Sequence, residues 1–377
     1  MSHLENRRTI LVYRDKLFLG SESFIPRAYR HFQALSPIYV GNGDGAGPDG
    51  ATVIRLDGAD GLSAIDNALL RTVGRVPDPL VGRLRSEAPR LIHAHFGKSG
   101  AYAMPIAAAL GLPLVVTFHG GDAAKDVHYR PNPFAVYNRR RHRLFQQAAG
   151  FIAVSDFVRR KLISRGGPAE KITVIHNGVD PDHFQVGAKA KEILFIGRMV
   201  EKKGIDVLAK ALSQLGNQLD GWQVRLLGDG PLRAKAEALV ASTGVNCRFE
   251  GWVPADQVAG YLERAAVVVV PSKTASSGDA EGLPMTVMEG MMSGAAVVGA
   301  HHAGIPEAIV DGTTGLVFPE GNSEALADAL QTVCMTEGLA AGLGAAGRTR
   351  AEVHFNAQIQ SRTLEAYLAS FLDAEAA

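Results

Sequence analysis

The stretch ILFIGRMVEKKGIDVLAKAL, residues 193–212, reads as strand, turn and helix in direct succession. Arg198 lies just past the carboxyl end of the strand, and Lys203 stands beside Gly204 where the helix begins. Open α/β sheets bind ligands at that edge, where helix amino termini favour anions. Two cations on opposite arms of one turn form a clamp for a diphosphate, Arg through its planar fork and Lys as a point charge. Two solvated surface charges are the alternative.

The same rhythm runs through the chain. In the first half, strand candidates fall at residues 9–13, 37–41, 52–56, 91–96, 113–118, 151–155 and 172–176. In the second they fall at 193–197, 224–228, 247–251, 267–271, 295–299 and 315–318. These runs are rich in β-branched residues and lack strict alternation, the pattern of parallel strands covered on both faces by helices. A doubly wound α/β fold, repeated twice, is expected. The 377 residues suit two domains. HNGVDPDHFQVGAKAK, residues 176–191, is the turn-rich break between them, and residues 355–372 form a last apolar-faced helix that needs a surface to cover.

Composition narrows the function classes. A net charge of +1 gives no global field for nucleic acid or an anionic membrane. Cys247 and Cys334 lack metal or redox spacing and read as reduced structural thiols. The first residues hold too short an apolar run for a signal peptide, and no stretch is long enough to span a membrane, so a cytoplasmic protein is expected. GNGDGAGPDG, residues 41–50, lacks the GxGxxG spacing and the following helix of a nicotinamide dehydrogenase.

AEGLPMTVMEG, residues 280–290, adds two carboxylates. Pro284 suits the first turn of a helix, and the amides of Gly282, Leu283, Met285 and Thr286 can donate to phosphate or sugar oxygens. Glu281 precedes that turn, placed to accept from hydroxyls of whatever the amides hold. Glu289 falls on the face of Met285 and Met292, where an unpaired carboxylate is costly. A ribose diol or a protein cation would supply its partner. Without ligand it should look poorly satisfied.

In the first half, HAHFG (93–97) and TFHGGD (117–122) both end apolar strands. Their histidines are expected at the crevice edge of one sheet, although a histidine at a strand end more often packs. No metal-ligand spacing supports zinc, and no Asp-x-Asp follows a strand to hold a metal on a diphosphate. No metal or other cofactor is therefore expected, with Arg, Lys and helix amides carrying the charge. YRPNPFAVYNRRRHRLFQQ, residues 129–147, sets Arg139, Arg140, Arg141 and Arg143 among apolar residues. It reads as a helix resting on an anionic inner leaflet or as a solvated helix.

From about residue 193 to 315, the motifs GRMVEKKG, LLGDGPLR, FEGWVP, EGLPMTVME and GIPEAIVDGTTGLV resemble, in order and spacing, the retaining GT-B glycosyltransferases of family 4. HAHFG, HGGD and SESFI (21–25) extend the likeness to members that build bacterial exopolysaccharide and colanic-acid-type repeat units. The resemblance implies two Rossmann-like domains facing across a cleft: residues 1–185 on the acceptor side and 186–354 holding the nucleotide sugar, with 355–377 packing back on the first. It implies that Arg198 and Lys203 neutralise the diphosphate of a UDP- or GDP-sugar, that Glu289 holds the ribose, and that Glu281 contacts the transferred sugar beside the backbone of Gly282, Leu283, Pro284 and Met285. Gly251 and Val253 would lie over the base, with Trp252 there to stack or to pack. His119 would sit at the reacting centre, with His95 on the same rim and Asp122 supporting the loop. The acceptor would be a glycan or a polyprenyl-diphosphate-linked oligosaccharide. Many relatives carry a Gly-Gly pair after the first strand; this chain has only Gly20, followed by Ser21. Sequence shows no enzymic nucleophile with a paired acid/base, which favours front-face transfer. A sugar-nucleotide epimerase and an inactive carbohydrate-binding scaffold are the rivals.

Overall fold

The computed structural model describes residues 7–17, 22–43, 47–48, 50–58, 61–125, 135–241 and 243–373. They divide into two compact units, Met1–Asn177 with Ala357–Ala377, and Gly178–Asn356.

The first unit is built on β1 (Arg8–Lys16), β2 (Leu35–Asn42), β3 (Val53–Arg55), β4 (Leu91–His95), β5 (Leu114–Phe118), β6 (Gly150–Ala153) and β7 (Ile172–Val174), in the order β3-β2-β1-β4-β5-β6-β7. The second is built on β8 (Ala190–Ile196), β9 (Gln223–Leu227), β10 (Cys247–Gly251), β11 (Ala265–Val270), β12 (Ala296–Ala300) and β13 (Leu316–Phe318), in the order β10-β9-β8-β11-β12-β13. Every pairing within both sheets is parallel. Each apolar run singled out in the sequence overlaps one of these strands.

The lack of alternation has a direct cause. Leu11 and Tyr13 join the core on one face of the first sheet, while Ile10 and Val12 join the core on the other. Val267 and Val269 likewise face one core of the second unit, and Val268 and Val270 the other. With helices on both faces, only the strand edges remain for chemistry. Strand order reverses between β1 and β4 and between β8 and β11, and the carboxyl ends at such a reversal diverge to leave a crevice.

The units part at Asn177/Gly178 and at Asn356/Ala357 rather than at 185 and 355. Val179 and Phe184 are the reason: both bury in the second unit's core, and the Val179 amide donates to Phe355 O at 2.7 Å. The C-terminal helix, Ala357–Asp373, belongs to the first unit, where Leu364, Leu368 and Leu372 enter the core beneath β1.

One carboxylate fixes that helix. Glu365 accepts from the amides of Gln33 (2.8 Å), Ala34 (2.7 Å) and Leu35 (2.8 Å), just where β2 begins. Glu365→Ala would leave these donors without acceptors beside the fully buried Leu35 and is expected to cost about 3 kcal/mol. A urea melt followed by circular dichroism should show the first unit unfolding earlier; an unchanged midpoint would contradict this anchoring.

Candidate functional site

In the second unit, the turn after β8 is held by close backbone packing. Gly204 has φ +68°, and a Cβ there would lie 1.7 Å from Pro271 O at the end of β11. Only glycine permits both the conformation and the approach. A Cβ on Gly228, after β9, would lie 2.0 Å from Gly197 O, so the loops following β8, β9 and β11 form one block.

This block places charge. Lys203 Nζ lies 3.0 Å from Glu281 Oε1, and Lys202 Nζ lies 3.7 Å from the same oxygen and 3.5 Å from Asp279. Burial alone would raise the carboxyl pKa of Glu281, but Lys203 and Lys202 outweigh it and hold the group below the usual range. Arg198 is exposed, and its side chain makes no hydrogen bond or ion pair among the described residues. The Glu281 amide donates to His302 Nε2 at 3.4 Å, so His302 carries its proton on Nδ1, 3.0 Å from Glu320 Oε2. Lys202, His302 and Glu320 were not picked out in the sequence. The doubled lysine of EKKG was a legible signal for the first; the other two lie outside the motif.

Pro284 is the N-cap of the helix Met285–Met292 rather than part of its first turn. Leu283, Val287, Met288, Met291 and Met292 bury in the core, while the first amides of the helix lack intrahelical acceptors by geometry. Glu289 departs from expectation. It is only partly buried and does not lack a partner, because its flanking residues, not its own carboxylate, point into the core. Gly251, with φ +74°, ends β10 and accepts from the Gly228 amide at 2.6 Å; Val253 is partly buried. Trp252 between them is 76% exposed, so it does not pack.

The first unit gathers its histidines differently from expectation. His93 and His95, two apart on β4, share one face and are 0% and 3% exposed, so His95 is not on an open rim. His93 Nε2 lies 2.7 Å from Thr117 Oγ1. The Tyr29 hydroxyl lies 2.6 Å from both His93 Nδ1 and His95 Nε2, and His95 Nδ1 lies 3.0 Å from His119 Nε2. His119 Nδ1 is buried and has no hydrogen-bond partner among the described residues. Phe24 and Phe96 flank the His119 ring at 4.9 and 4.6 Å. Burial pushes His93 and His119 down to about 3 and His95 well below its ordinary value, so all three are neutral at physiological pH.

Asp122 fixes the loop that carries His119. Its Oδ1 accepts from the amides of His119 and Gly120 at 3.0 Å each, and its Oδ2 from Gly97 at 3.1 Å. Burial raises its carboxyl to about 6 against the pull of these amides. Gly20 and Ser21 lie outside the described residues.

The arginine-rich helix, Val136–Gln147, does not offer an apolar face to a membrane: Tyr137, Leu144 and Phe145 are in the core. Arg140 donates to Ala101 O and Thr72 O, and Arg139 to Thr72 O, leaving His142 and Arg143 exposed alongside Arg139. No helix among the described residues is long and apolar enough to cross a membrane.

Two Rossmann-like units, each built on one all-parallel sheet, are the architecture of the GT-B fold. A family model described as Glycosyl transferases group 1 matches residues 190–335, and one described as Glycosyltransferase Family 4 matches residues 45–183. The chain is 32% identical over 283 residues to the amylovoran biosynthesis glycosyltransferase AmsK of Erwinia amylovora, spanning 72% of this chain and 67% of that protein. It is 33% identical over 290 residues to the putative colanic acid biosynthesis glycosyltransferase WcaL of Escherichia coli, spanning 73% and 69%. Anabaena Alr3699/HepE, solved in complex with UDP, shares the fold with a TM-score of 0.75 at 20% identity, covering 97% of this chain and 100% of that one. The chain belongs to the group 1, family 4 glycosyltransferases.

The raised Asp122 carboxyl sets a pH dependence. Its contribution to stability is fully present below the unfolded value near 4 and is lost as pH rises through about 6. Chemical denaturation from pH 4 to pH 7 should show the wild type losing that increment and Asp122→Asn lacking it. Parallel profiles for the two proteins would contradict the assignment.

Proposed function

We propose that the protein transfers a sugar from a UDP- or GDP-sugar to a hydroxyl of a glycan or a polyprenyl-diphosphate-linked oligosaccharide. In this reading the anomeric configuration is retained, no metal takes part, and the product belongs to bacterial exopolysaccharide assembly. The observation that carries it is the cluster of Lys202 and Lys203 on Glu281, with Arg198 exposed on the same turn and without a side-chain partner among the described residues, and a helix amino terminus following Glu281. The names of AmsK and WcaL support the exopolysaccharide setting.

A diphosphate bound here competes with Glu281 for Lys203. As Lys203 turns to the phosphates, Glu281 is released to accept from hydroxyls of the transferred sugar. Arg198 forks onto the phosphate oxygens, and the first amides of Met285–Met292 add their partial charge. Glu289, partly exposed on that helix, takes the ribose hydroxyls. Backbone at Gly251 and Val253 meets the base, and the exposed Trp252 ring stacks on it. His119 contacts the transferred sugar, its loop held by Asp122.

In the transfer, the bond from the anomeric carbon to the diphosphate oxygen breaks, giving an oxocarbenium-like sugar. The acceptor oxygen bonds to the same face, and its proton passes to the departing diphosphate. Catalysis rests on positioning and on charge stabilisation of the leaving group.

The protein acts in the cytoplasm in this reading. Membrane contact is electrostatic only, through Arg139, His142 and Arg143, and should appear as salt-sensitive flotation with vesicles containing phosphatidylglycerol; no flotation would remove it.

Lys203→Ala and Glu289→Ala should each weaken donor binding at least about tenfold, roughly 1.4 kcal/mol, while acceptor affinity stays unchanged. Titration calorimetry with nucleotide sugars measures both. Unchanged donor affinity in both variants would overturn the site.

A further inference from the structure

The buried polar chain of the first unit has an order that its distances and valences determine. A neutral imidazole has one N–H and one bare nitrogen, and a phenol has one proton to give. Along Thr117, His93, Tyr29, His95 and His119, only two proton orders pair a donor with an acceptor at every contact. Any other order sets two protons or two lone pairs face to face, or strands the Tyr29 proton.

In the first order, Thr117 donates to His93 Nε2, His93 Nδ1–H to Tyr29, Tyr29 to His95 Nε2, and His95 Nδ1–H to His119 Nε2. His119 then carries its own proton on Nδ1. In the second order every bond reverses, and the proton of the Thr117 hydroxyl has no acceptor among the described residues. Thr117 is 5% exposed, so a stranded hydroxyl proton is costly there. His119 Nδ1 is buried and has no partner among the described residues in either order, so the second order strands one polar group more, and the first is favoured for that reason.

We propose that this chain is a neutral tautomer-setting relay, with Tyr29 as its positioning residue, which fixes His119 as an imidazole offering Nδ1–H as a donor to an oxygen of the transferred sugar. The last clause rests on the glycosyl-transfer reading; the tautomer assignment does not. The relay orients and does not conduct: a net proton moving along it would leave Thr117 as an alkoxide. It also resists protonation, because an added proton at His119 Nε2 would face the His95 Nδ1–H, and one at His93 Nε2 or His95 Nε2 would turn its hydroxyl partner into an acceptor and strand that hydroxyl's proton. The depressed histidine values agree with this, and Arg14, whose guanidinium lies 4.4 Å over the Phe96 ring, disfavours a charged His119 further. His119 is thus set up as a hydrogen-bond donor and not as an acid or base that titrates near neutrality.

The test is the two-bond proton–nitrogen correlation spectrum of the full chain labelled with nitrogen-15 histidine, without ligand, from pH 5 to pH 8. His119→Gln identifies the His119 signals. The expected wild-type result is an Nδ1–H, Nε2-bare pattern that does not titrate. Tyr29→Phe and Thr117→Val each break the order, and in each His119 should show both tautomers; Thr117→Val is isosteric and keeps the comparison valid if Tyr29→Phe destabilises the fold. An Nε2–H pattern or a charged His119 in the wild type would overturn the proposal, as would an unchanged pattern in both variants. In turnover assays kcat should fall about tenfold in either variant, the loss of one directed hydrogen bond, with nucleoside diphosphate affinity unchanged. If the spectra hold and turnover does not respond, the relay stands and its contact with the sugar fails.

Discussion

The contact between Gly204 and Pro271 is the constraint on which the second unit's chemistry depends. A side chain at position 204 would push the turn after β8 away from the end of β11. With the two in contact, Lys202 and Lys203 meet Glu281 at the switch point between neighbouring strands. The backbone of Glu281 is fastened in turn by His302, which Glu320 orients. The charges are therefore gathered at one edge before any ligand arrives, and an anion binding there needs Lys203 to turn from Glu281 while the backbone that carries both stays in place.

The two units share a strand order and differ in how their polar groups are held. In the second, Lys202 and Lys203 gather on Glu281 and Asp279, while Arg198 stands exposed with no side-chain partner among the described residues. In the first, Arg14 pairs with Glu22, and Asp15 meets both Arg71 and Lys98. The first unit adds three imidazoles that burial keeps neutral. A dianionic diphosphate suits the exposed cation of the second unit, and uncharged hydroxyls suit the neutral imidazoles of the first.

The fold was legible because parallel strands buried on both faces leave continuous apolar runs. Lys203 and Glu281 were legible because both flank the ends of such runs. Glu289 was misread: the methionines beside it were buried, but a helix face wide enough for them need not carry the neighbouring carboxylate inward. The arginine-rich helix left two readings open in the sequence, and its Tyr137, Leu144 and Phe145 cover the core, which leaves its basic and other polar residues to face outward. For the relay, the spacing of His93 and His95 announced a shared face. Tyr29 could not be found that way, because it joins them from a turn 64 residues earlier in the chain than His93. Glu365 was hidden for the same reason: its amide partners lie more than 300 residues away.

The central claim is that the carboxyl edge of β8 and β11 binds a nucleoside diphosphate through charges already in place. Hydrogen–deuterium exchange of the full chain, with and without UDP or GDP, tests it most directly. The account predicts slower exchange at residues 197–204 and 281–292 with at least one of the two nucleotides. Protection confined to the first unit, or none at either segment with ligand bound, would contradict it.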